Sequence, residues 1–125
     1  IYLKDDAKTI QKKVMKAVTD NGPTTPNSEK PEVIQNLFTF LNIVSQPETV
    51  QYFEEKWADC SIRYGDLKKQ LAADIIAYTE PIREKIAEYS SNKELLEKIA
   101  KEGADRARAS AVETLSEARK IIGFR

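Results

Sequence analysis

The feature that most constrains the fold is a long run of regularly spaced apolar residues in the second half of the chain. From Leu67 to Tyr89 these residues follow one another at steps of four, four, three, four, four and three. Such spacing places all of them on one face of an α-helix. The pattern continues across Pro81, so we expect the proline to kink this helix without ending it. A helix of this length has to bury its apolar face against other helices.

A first helix is predicted from the apolar stripe that begins at Ile10. Asp5 or Asp6 is expected to cap it, because a carboxylate at that position accepts hydrogen bonds from free backbone N–H groups. We expect Asn21-Gly22-Pro23 to end it. Residues 20–30 are polar and contain two prolines, which predicts an internal surface loop.

A second helix is predicted from Pro31, because proline suits the first helical turn. Phe40 and Ile43 widen its apolar face, so we expect this helix to be buried on most sides. Ser45-Gln46-Pro47-Glu48 then has the pattern of a capping box, with Ser45 as the cap of a third helix.

The later helix boundaries are predicted from the same kinds of signal. Asp66 is expected to cap the long helix, and Ser91-Asn92-Lys93-Glu94 is a second capping box. Gly103 predicts a break or bend before a last helix. Mostly small residues form one face of that helix, at Ala104, Ala107, Ala111, Leu115, Ala118 and Ile122.

No segment predicts a strand convincingly. The fold class is therefore all-α, an irregular bundle of five or six helices, in a single helical domain over residues 1–125. The residues on the apolar stripes are the expected core, namely Leu37, Phe38, Leu41, Phe53, Leu71, Ile75, Ile82 and Leu115.

The composition argues against a catalytic or metal-binding site within this chain. There is no histidine, which removes the commonest general base and metal ligand near neutral pH. Cys60 is the only cysteine, so an internal disulfide or a cysteine-based metal cluster cannot form, and we interpret its thiol as structural. No glycine-rich phosphate loop is present. We therefore predict no catalytic, cofactor-binding or metal-binding residue.

The charge and hydropathy of the chain bear on its surroundings. The formal net charge is zero, so bulk attraction to nucleic acid or membrane is not indicated. No apolar run is long enough for a membrane span, and a single thiol fits a reducing cytoplasm. The chain begins at Ile1 and not at methionine, from which we expect a fragment of a longer protein.

Two groups of basic residues stand out against this neutral background. Lys8, Lys12 and Lys16 are four residues apart, opposite the apolar stripe of the first helix. Arg63, Tyr64, Lys68 and Lys69 cluster where a loop meets the long helix, where phosphate oxygens and a stacked base would find partners. For the three lysines, a solvated helix face is the preferred interpretation, and a stripe that contacts phosphates is the alternative. For the second group, solvated or packed side chains and a contact with RNA are equally consistent with the sequence.

Two aromatic residues of the third helix, Tyr52 and Trp57, are open to interpretation as ligand-stacking residues. Because they share helical spacing with Val50 and Phe53, packing in the core or at its edge is the preferred interpretation.

Several short segments, taken in order, resemble the C-terminal part of bacterial-type tryptophanyl-tRNA synthetases. The resemblance covers essentially the whole chain, and the tyrosyl-tRNA synthetases are a less good match. The segments are Ile1-Tyr2-Leu3, Ala17-Val18-Thr19-Asp20, Asn36-Leu37, Tyr64-Gly65-Asp66-Leu67-Lys68, Pro81-Ile82-Arg83-Glu84 and Gly103-Ala104-Asp105-Arg106-Ala107.

The resemblance implies a class I ligase that activates tryptophan with ATP and transfers it to tRNA(Trp). In such a ligase this chain would be the helical domain that recognises the anticodon arm. A missing catalytic domain would bind ATP, and the parent enzyme would be a cytoplasmic homodimer. Neither class I signature, His-Ile-Gly-His or Lys-Met-Ser-Lys-Ser, occurs in this chain. The fragment is therefore expected to be non-catalytic.

The alternative, from a different functional class, is that the chain is a stand-alone helical protein-interaction module. The surfaces around Lys8–Lys16 and Arg63–Lys69 discriminate between the two readings. Basic, solvent-facing side chains favour tRNA, whereas an exposed apolar patch favours a protein partner.

Overall fold

The computed structural model describes residues 1–123, in which five helices and no strand occur. This confirms the all-α prediction. The helices are α1 (Ala7–Met15), α2 (Glu32–Val44), α3 (Pro47–Ala58), α4 (Tyr64–Ser91) and α5 (Lys93–Ile121). The chain divides into two compact units, Ile1–Glu84 and a second that begins at Lys85, and α4 contributes to both. The assignment of residues 1–125 to one domain stays a prediction.

The hydrophobic core of the first unit is assembled from helices α1 to α4. Its fully or nearly fully buried side chains are Ile10, Val14, Ile34, Leu37, Phe38, Leu41, Phe53, Trp57, Leu67, Leu71, Ala72 and Ile75. Each large apolar side chain buried in this way contributes about 1.5–3 kcal/mol relative to exposure. Six of the eight predicted core residues are among them, which confirms the stripes assigned to α2, α3 and the first half of α4.

Two predicted core residues are wrong. Ile82 is 37% exposed and Leu115 is 50% exposed, and α5 has no buried residue among those described. The second helix is also less enclosed than expected, because Phe40 and Ile43 are 51% and 60% exposed. Helical periodicity identifies an apolar face, but a neighbouring element has to cover that face before its residues are buried.

The helix caps partly follow the sequence. Asp6 caps α1 as expected, its carboxylate accepting a hydrogen bond from the Thr9 backbone N–H at 2.7 Å. The first predicted capping box is wrong, since the Ser45 hydroxyl instead donates to Asp74 Oδ2 at 2.5 Å. The N-cap of α3 is Gln46, without a side-chain bond.

The caps of the two long helices also differ from expectation. Asn92, and not Ser91, caps α5, accepting a hydrogen bond from the Leu95 N–H at 3.0 Å. Asp66 lies within the first turn of α4, which begins two residues earlier at Tyr64.

The predicted breaks have mixed outcomes. The long helix α4 passes through Pro81 as expected. Helix α5 passes through Gly103 without a break, so that prediction is wrong. Helix α1 ends at Met15, well before Asn21-Gly22-Pro23. None of the described helices combines the length and the apolarity that a membrane span requires.

The loop of residues 20–30 contains no helix and is tied to the end of α3. The Asn27 N–H donates to the Ala58 carbonyl at 3.1 Å, and Trp57 Nε1 donates to the Ser28 carbonyl at 2.8 Å. Lys30 pairs with Glu54 at 2.6 Å and lies 4.5 Å from the centre of the Phe38 ring. These contacts fix a proline-containing segment that has few apolar side chains of its own.

Candidate nucleic-acid interface

The segment that follows α1 is fastened to the start of α4 by side-chain hydrogen bonds. The Tyr64 hydroxyl donates to Asp20 Oδ1. Lys68 Nζ donates to the Ala17 carbonyl at 2.7 Å and contacts Thr19 Oγ1 at 3.2 Å. We call this group of five residues the clasp. It joins two stretches, residues 17–20 and 64–68, that resemble the same family.

The clasp perturbs the acidity of both partners in its outer hydrogen bond. The pKa of Asp20 is lowered because the Tyr64 hydroxyl and the Gly22 N–H both donate to its carboxylate. The pKa of Tyr64 is raised, first because the phenol is partly buried and then because Asp20 accepts its proton in a hydrogen bond. Both shifts favour the state with a neutral phenol and an ionised carboxylate.

Two of the predicted tRNA-binding residues belong to the clasp. Lys68 is 9% exposed, and its ammonium group donates hydrogen bonds to the Ala17 carbonyl and to Thr19 Oγ1. Tyr64 is half-buried against the core. Lys68 lies three and four residues before the buried Leu71 and Ala72, so it is on the buried face of α4 and not on the solvent face. The structure therefore places both residues in packing, away from the exposed basic surface.

The other five predicted residues are exposed. They are Arg63, Lys69, Lys8, Lys12 and Lys16. Their charged groups form no ion pair or hydrogen bond with any residue among the 123 that the structure describes. Unpaired cations facing solvent are available to phosphate oxygens, because no protein carboxylate has to be displaced.

The clasp brings together the two segments of the chain that carry these cations. Lys16 is the C-cap of α1 and directly precedes Ala17, whose carbonyl accepts from Lys68. Lys69 is the next residue on α4. The segment that follows α1 is therefore in contact with the first turns of α4, although Ala17 and Lys68 are 51 positions apart in the chain. Three exposed cations directly precede or follow residues of the clasp, and we call this group, Lys16, Arg63 and Lys69, the basic edge.

A concave site lies next to this edge, between the end of α3 and the start of α4. Its volume is about 330 Å³, and it is lined by Tyr52, Phe53, Lys56, Ser61, Arg63 and Asp66. Tyr52 is 53% exposed and packs only at the edge of the core, with its ring edge-on against Phe53. Trp57 is 3% exposed, which confirms its interpretation as a core residue.

The wall of this site is shaped by the turn that ends α3. The Ser61 N–H donates to the Lys56 carbonyl at 2.9 Å, and the Cys60 N–H donates to the Trp57 carbonyl at 3.1 Å. This pair of bonds is a Schellman motif, with Cys60 in the left-handed region at φ 61°. Glycine usually fills that position, so no residue pattern indicated this turn. The half-buried Cys60 thiol agrees with the structural interpretation.

A second concavity, of about 380 Å³, lies on another part of the first unit and is mainly apolar. It is lined by residues of the entry segment, α2 and α4, among them Leu3, Phe40 and Tyr78. Among the described residues, no group of His, Cys, Asp or Glu side chains is placed to hold a metal ion.

Comparison with known proteins relates the whole chain to one enzyme family. It is 62% identical over 125 residues to the tryptophan–tRNA ligase of Porphyromonas gingivalis, covering all of this chain and 38% of that protein. It is 35% identical over 124 residues to the ligase of Clostridium tetani and 36% identical over 125 residues to ligase 2 of Streptomyces avermitilis. In both comparisons the match covers 99% of this chain and 36% of the relative. No protein-family model matches the chain.

Proposed function

Because this chain is homologous over its whole length to a little more than a third of the tryptophan–tRNA ligases, we propose that it is their helical tRNA-recognition part. In this role it holds the anticodon arm of tRNA(Trp) while another part of the ligase attaches tryptophan with ATP. The chain itself supplies no catalytic residue and binds no ATP. The parent enzyme acts in the cytoplasm as a homodimer.

The observation that carries the proposal is the basic edge around the clasp. Arg63, Lys69 and Lys16 are exposed and unpaired among the described residues. They come from two separate segments of the chain, which the clasp joins. Phosphates of an RNA backbone follow such an edge without needing a base-specific contact. Since the net charge of the chain is zero, binding by the chain alone is expected to be weak and strongly dependent on salt.

The experiment is a salt series of tRNA(Trp) titrations with a ligase that contains this segment. Replacing Lys69 by Ala removes one phosphate contact, so the slope of log K against log salt should fall by about 0.7–0.9. Arg63→Ala should act similarly. Lys101→Ala is the matched control, because Lys101 is also exposed but lies on α5. Equal slopes for all variants would show that the edge is only solvated surface.

One observation favours the alternative, in which the chain is a stand-alone protein-interaction module. The apolar concavity beside Phe40 and Tyr78 is exposed, and apolar patches of this kind mark protein contacts. Under the ligase proposal the two surfaces have different uses, and only the basic edge meets RNA. A Phe40→Ser variant separates the readings, because it should leave the salt slope of tRNA binding unchanged.

The catalytic part of the proposal has its own test. The isolated chain should show no tryptophan-dependent ATP–pyrophosphate exchange, since it holds no nucleotide-binding signature. Exchange that survives repeated purification and scales with the concentration of the chain would contradict the assignment of catalysis to another part of the ligase.

A further inference from the structure

The loop that follows α1 contains an asparagine directly before a glycine, at Asn21 and Gly22. Asn21 is exposed, and its side chain forms no hydrogen bond with any residue in the described range 1–123. When the backbone nitrogen of the following residue attacks the amide carbon of an asparagine, Cγ, the two close a succinimide ring. Glycine in the following position offers this ring closure the least steric hindrance, because it has no Cβ.

Gly22 leaves room for such a ring. Its backbone has a φ of 95°, in the left-handed region that glycine adopts without strain. Beyond its chain neighbours, no atom lies within 4 Å of the place where a Cβ would stand, so open space adjoins the residue. A residue with a Cβ would restrict both this backbone conformation and the approach of its nitrogen to the Asn21 Cγ.

The nitrogen that has to react is held by the carboxylate of the residue before Asn21. The Gly22 N–H donates to Asp20 Oδ1 at 2.9 Å. The same oxygen accepts from the Tyr64 hydroxyl, so the clasp holds the carboxylate in place. Ring closure requires the Gly22 nitrogen to leave Asp20 and to lose its proton. The hydrogen bond opposes both steps, because an ionised acceptor stabilises the N–H form of the nitrogen.

The other four asparagines of the chain lack this combination of features. Asn36 and Asn42 lie inside α2, where helical geometry fixes the backbone, and Asn92 caps α5 with its side chain. Asn27 is exposed in the same loop as Asn21, but a serine follows it. Asn21 is therefore the position at which the side-chain amide is both exposed and followed by an unhindered nitrogen.

We propose that Asn21 is a site of spontaneous deamidation, and that the hydrogen bond from Gly22 to Asp20 limits its rate. The Gly22 nitrogen gives up its proton and forms a bond to the Asn21 Cγ. The bond from Cγ to the amide nitrogen breaks, and that nitrogen takes up the proton and leaves as ammonia. Water then opens the succinimide ring. Addition at Cγ yields aspartate with the ordinary peptide bond, and addition at the other carbonyl yields isoaspartate, which adds a methylene to the main chain.

Both products place a new negative charge beside the clasp. The charge lies one residue from Asp20, whose partner Tyr64 directly follows Arg63 of the basic edge. A carboxylate here repels the phosphates that the basic edge attracts. Deamidation therefore weakens the binding of RNA, and this consequence, unlike the modification itself, rests on the proposed function.

The modification is tested by incubating the 125-residue chain at slightly alkaline pH and mapping each asparagine by fragmentation mass spectrometry. Asn21 should convert to aspartate and isoaspartate, whereas Asn27, the matched control in the same loop, should stay intact over the same period. Asp20→Ala removes the acceptor of the Gly22 N–H and should speed up the conversion roughly 2- to 10-fold, the factor that corresponds to one hydrogen bond. Tyr64→Phe keeps that acceptor and should react at close to the wild-type rate.

The wild-type chain unfolded in urea gives a second measurement, because it lacks the hydrogen bond without any substitution and should also convert faster. Conversion of Asn21 no faster than that of Asn27 would overturn the site. Equal rates in the folded and unfolded chains would overturn the role of the hydrogen bond. The same holds for an acceleration by Tyr64→Phe as large as that by Asp20→Ala, because the clasp as a whole would then set the rate.

The consequence for RNA is tested with Asn21→Asp in a ligase that contains this segment. This variant should bind tRNA(Trp) about two- to fivefold more weakly at low salt, with a difference that shrinks as salt is added. Asn27→Asp is the control, because it adds the same charge at the other end of the loop. Wild-type affinity of Asn21→Asp would overturn the effect on RNA and leave the modification site in place. A wild-type ligase that binds tRNA(Trp) with no contribution from the basic edge would contradict the proposed function, and the mass spectrometry would still decide the site.

Discussion

Tyr64 donates a hydrogen bond from its hydroxyl to the carboxylate of Asp20, across 44 residues of chain. Together with the bonds from Lys68 to Ala17 and Thr19, it fixes the segment after α1 against the first turns of α4. Lys16 and Lys69 each adjoin a residue of the clasp in the chain. The position of the proposed RNA-binding surface therefore depends on the hydrogen bonds of the clasp as much as on its exposed cations.

The Tyr64–Asp20 bond should make a pH-dependent contribution to stability. Asp20 has a lowered pKa in the folded chain, so its contribution is complete above its ordinary value of 3.8 and is lost as the pH falls through the folded value. Tyr64→Phe should cost about 0.5–1.5 kcal/mol near neutral pH. The difference between the two proteins should shrink on acidification to about pH 2. A difference that is constant with pH in urea unfolding would show that the hydroxyl does not interact with ionised Asp20.

Lys68 and Lys69 should behave differently although they are neighbours of identical chemistry. Lys68→Met keeps the aliphatic stem but removes both hydrogen bonds of a nearly buried ammonium, which should cost about 1.5–3 kcal/mol. Lys69→Met changes an exposed side chain and should stay within about 0.5 kcal/mol of wild type. Fluorescence of Trp57, the only tryptophan, reports unfolding in urea. Equal stability of the two variants would show that the hydrogen bonds of Lys68 do not stabilise the clasp.

Cys60 is a position where glycine should stabilise the chain. Its backbone is in the left-handed region at φ 61°, which costs about 1–2 kcal/mol for a residue with a Cβ. Cys60→Gly removes this cost but adds entropy to the unfolded chain, so the expected net gain is roughly 0.5–1 kcal/mol. Cys60→Ala is the control, since it removes the thiol and keeps the Cβ. A gain as large for Ala as for Gly would point to the thiol and not to the backbone.

Leu71 and Leu115 lie on predicted apolar stripes but differ in burial. Leu71 is 1% exposed, and Leu71→Ala should cost about 2–5 kcal/mol because it removes contacts and leaves a cavity. Leu115 is 50% exposed, and Leu115→Ala should change the free energy of unfolding by no more than about 0.5 kcal/mol. Chemical denaturation of both variants provides the measurement. A large loss at position 115 would mean that another surface covers α5 in solution.

The local rules of helix formation were sufficient for much of the architecture. Apolar spacing predicted the stripes that carry Leu37, Phe53 and Leu71, and the carboxylate of Asp6 caps α1 as its position suggests. These features depend on residues within one or two helical turns. A short-range pattern contains the information that decides them.

The same rules failed where a group had a choice of partners. Ser45 has the right spacing for a capping box, yet its hydroxyl bonds to Asp74, 29 residues away. Tyr52 has the spacing of a core residue, yet it is exposed. Whether a side chain caps a helix, packs or faces solvent depends on which distant element lies beside it.

The sequence by itself therefore determined that this protein is helical, which faces of its helices are apolar, and which two groups of basic residues stand out. Only the tertiary structure decided that Lys68 and Tyr64 form hydrogen bonds to the segment after α1. It further decided that Arg63 and Lys69 face solvent. It also decided that the end of α3 and the start of α4 enclose a site. The physical reason is that burial and hydrogen bonding between distant segments are properties of pairs, and the spacing along one helix specifies only one member of each pair.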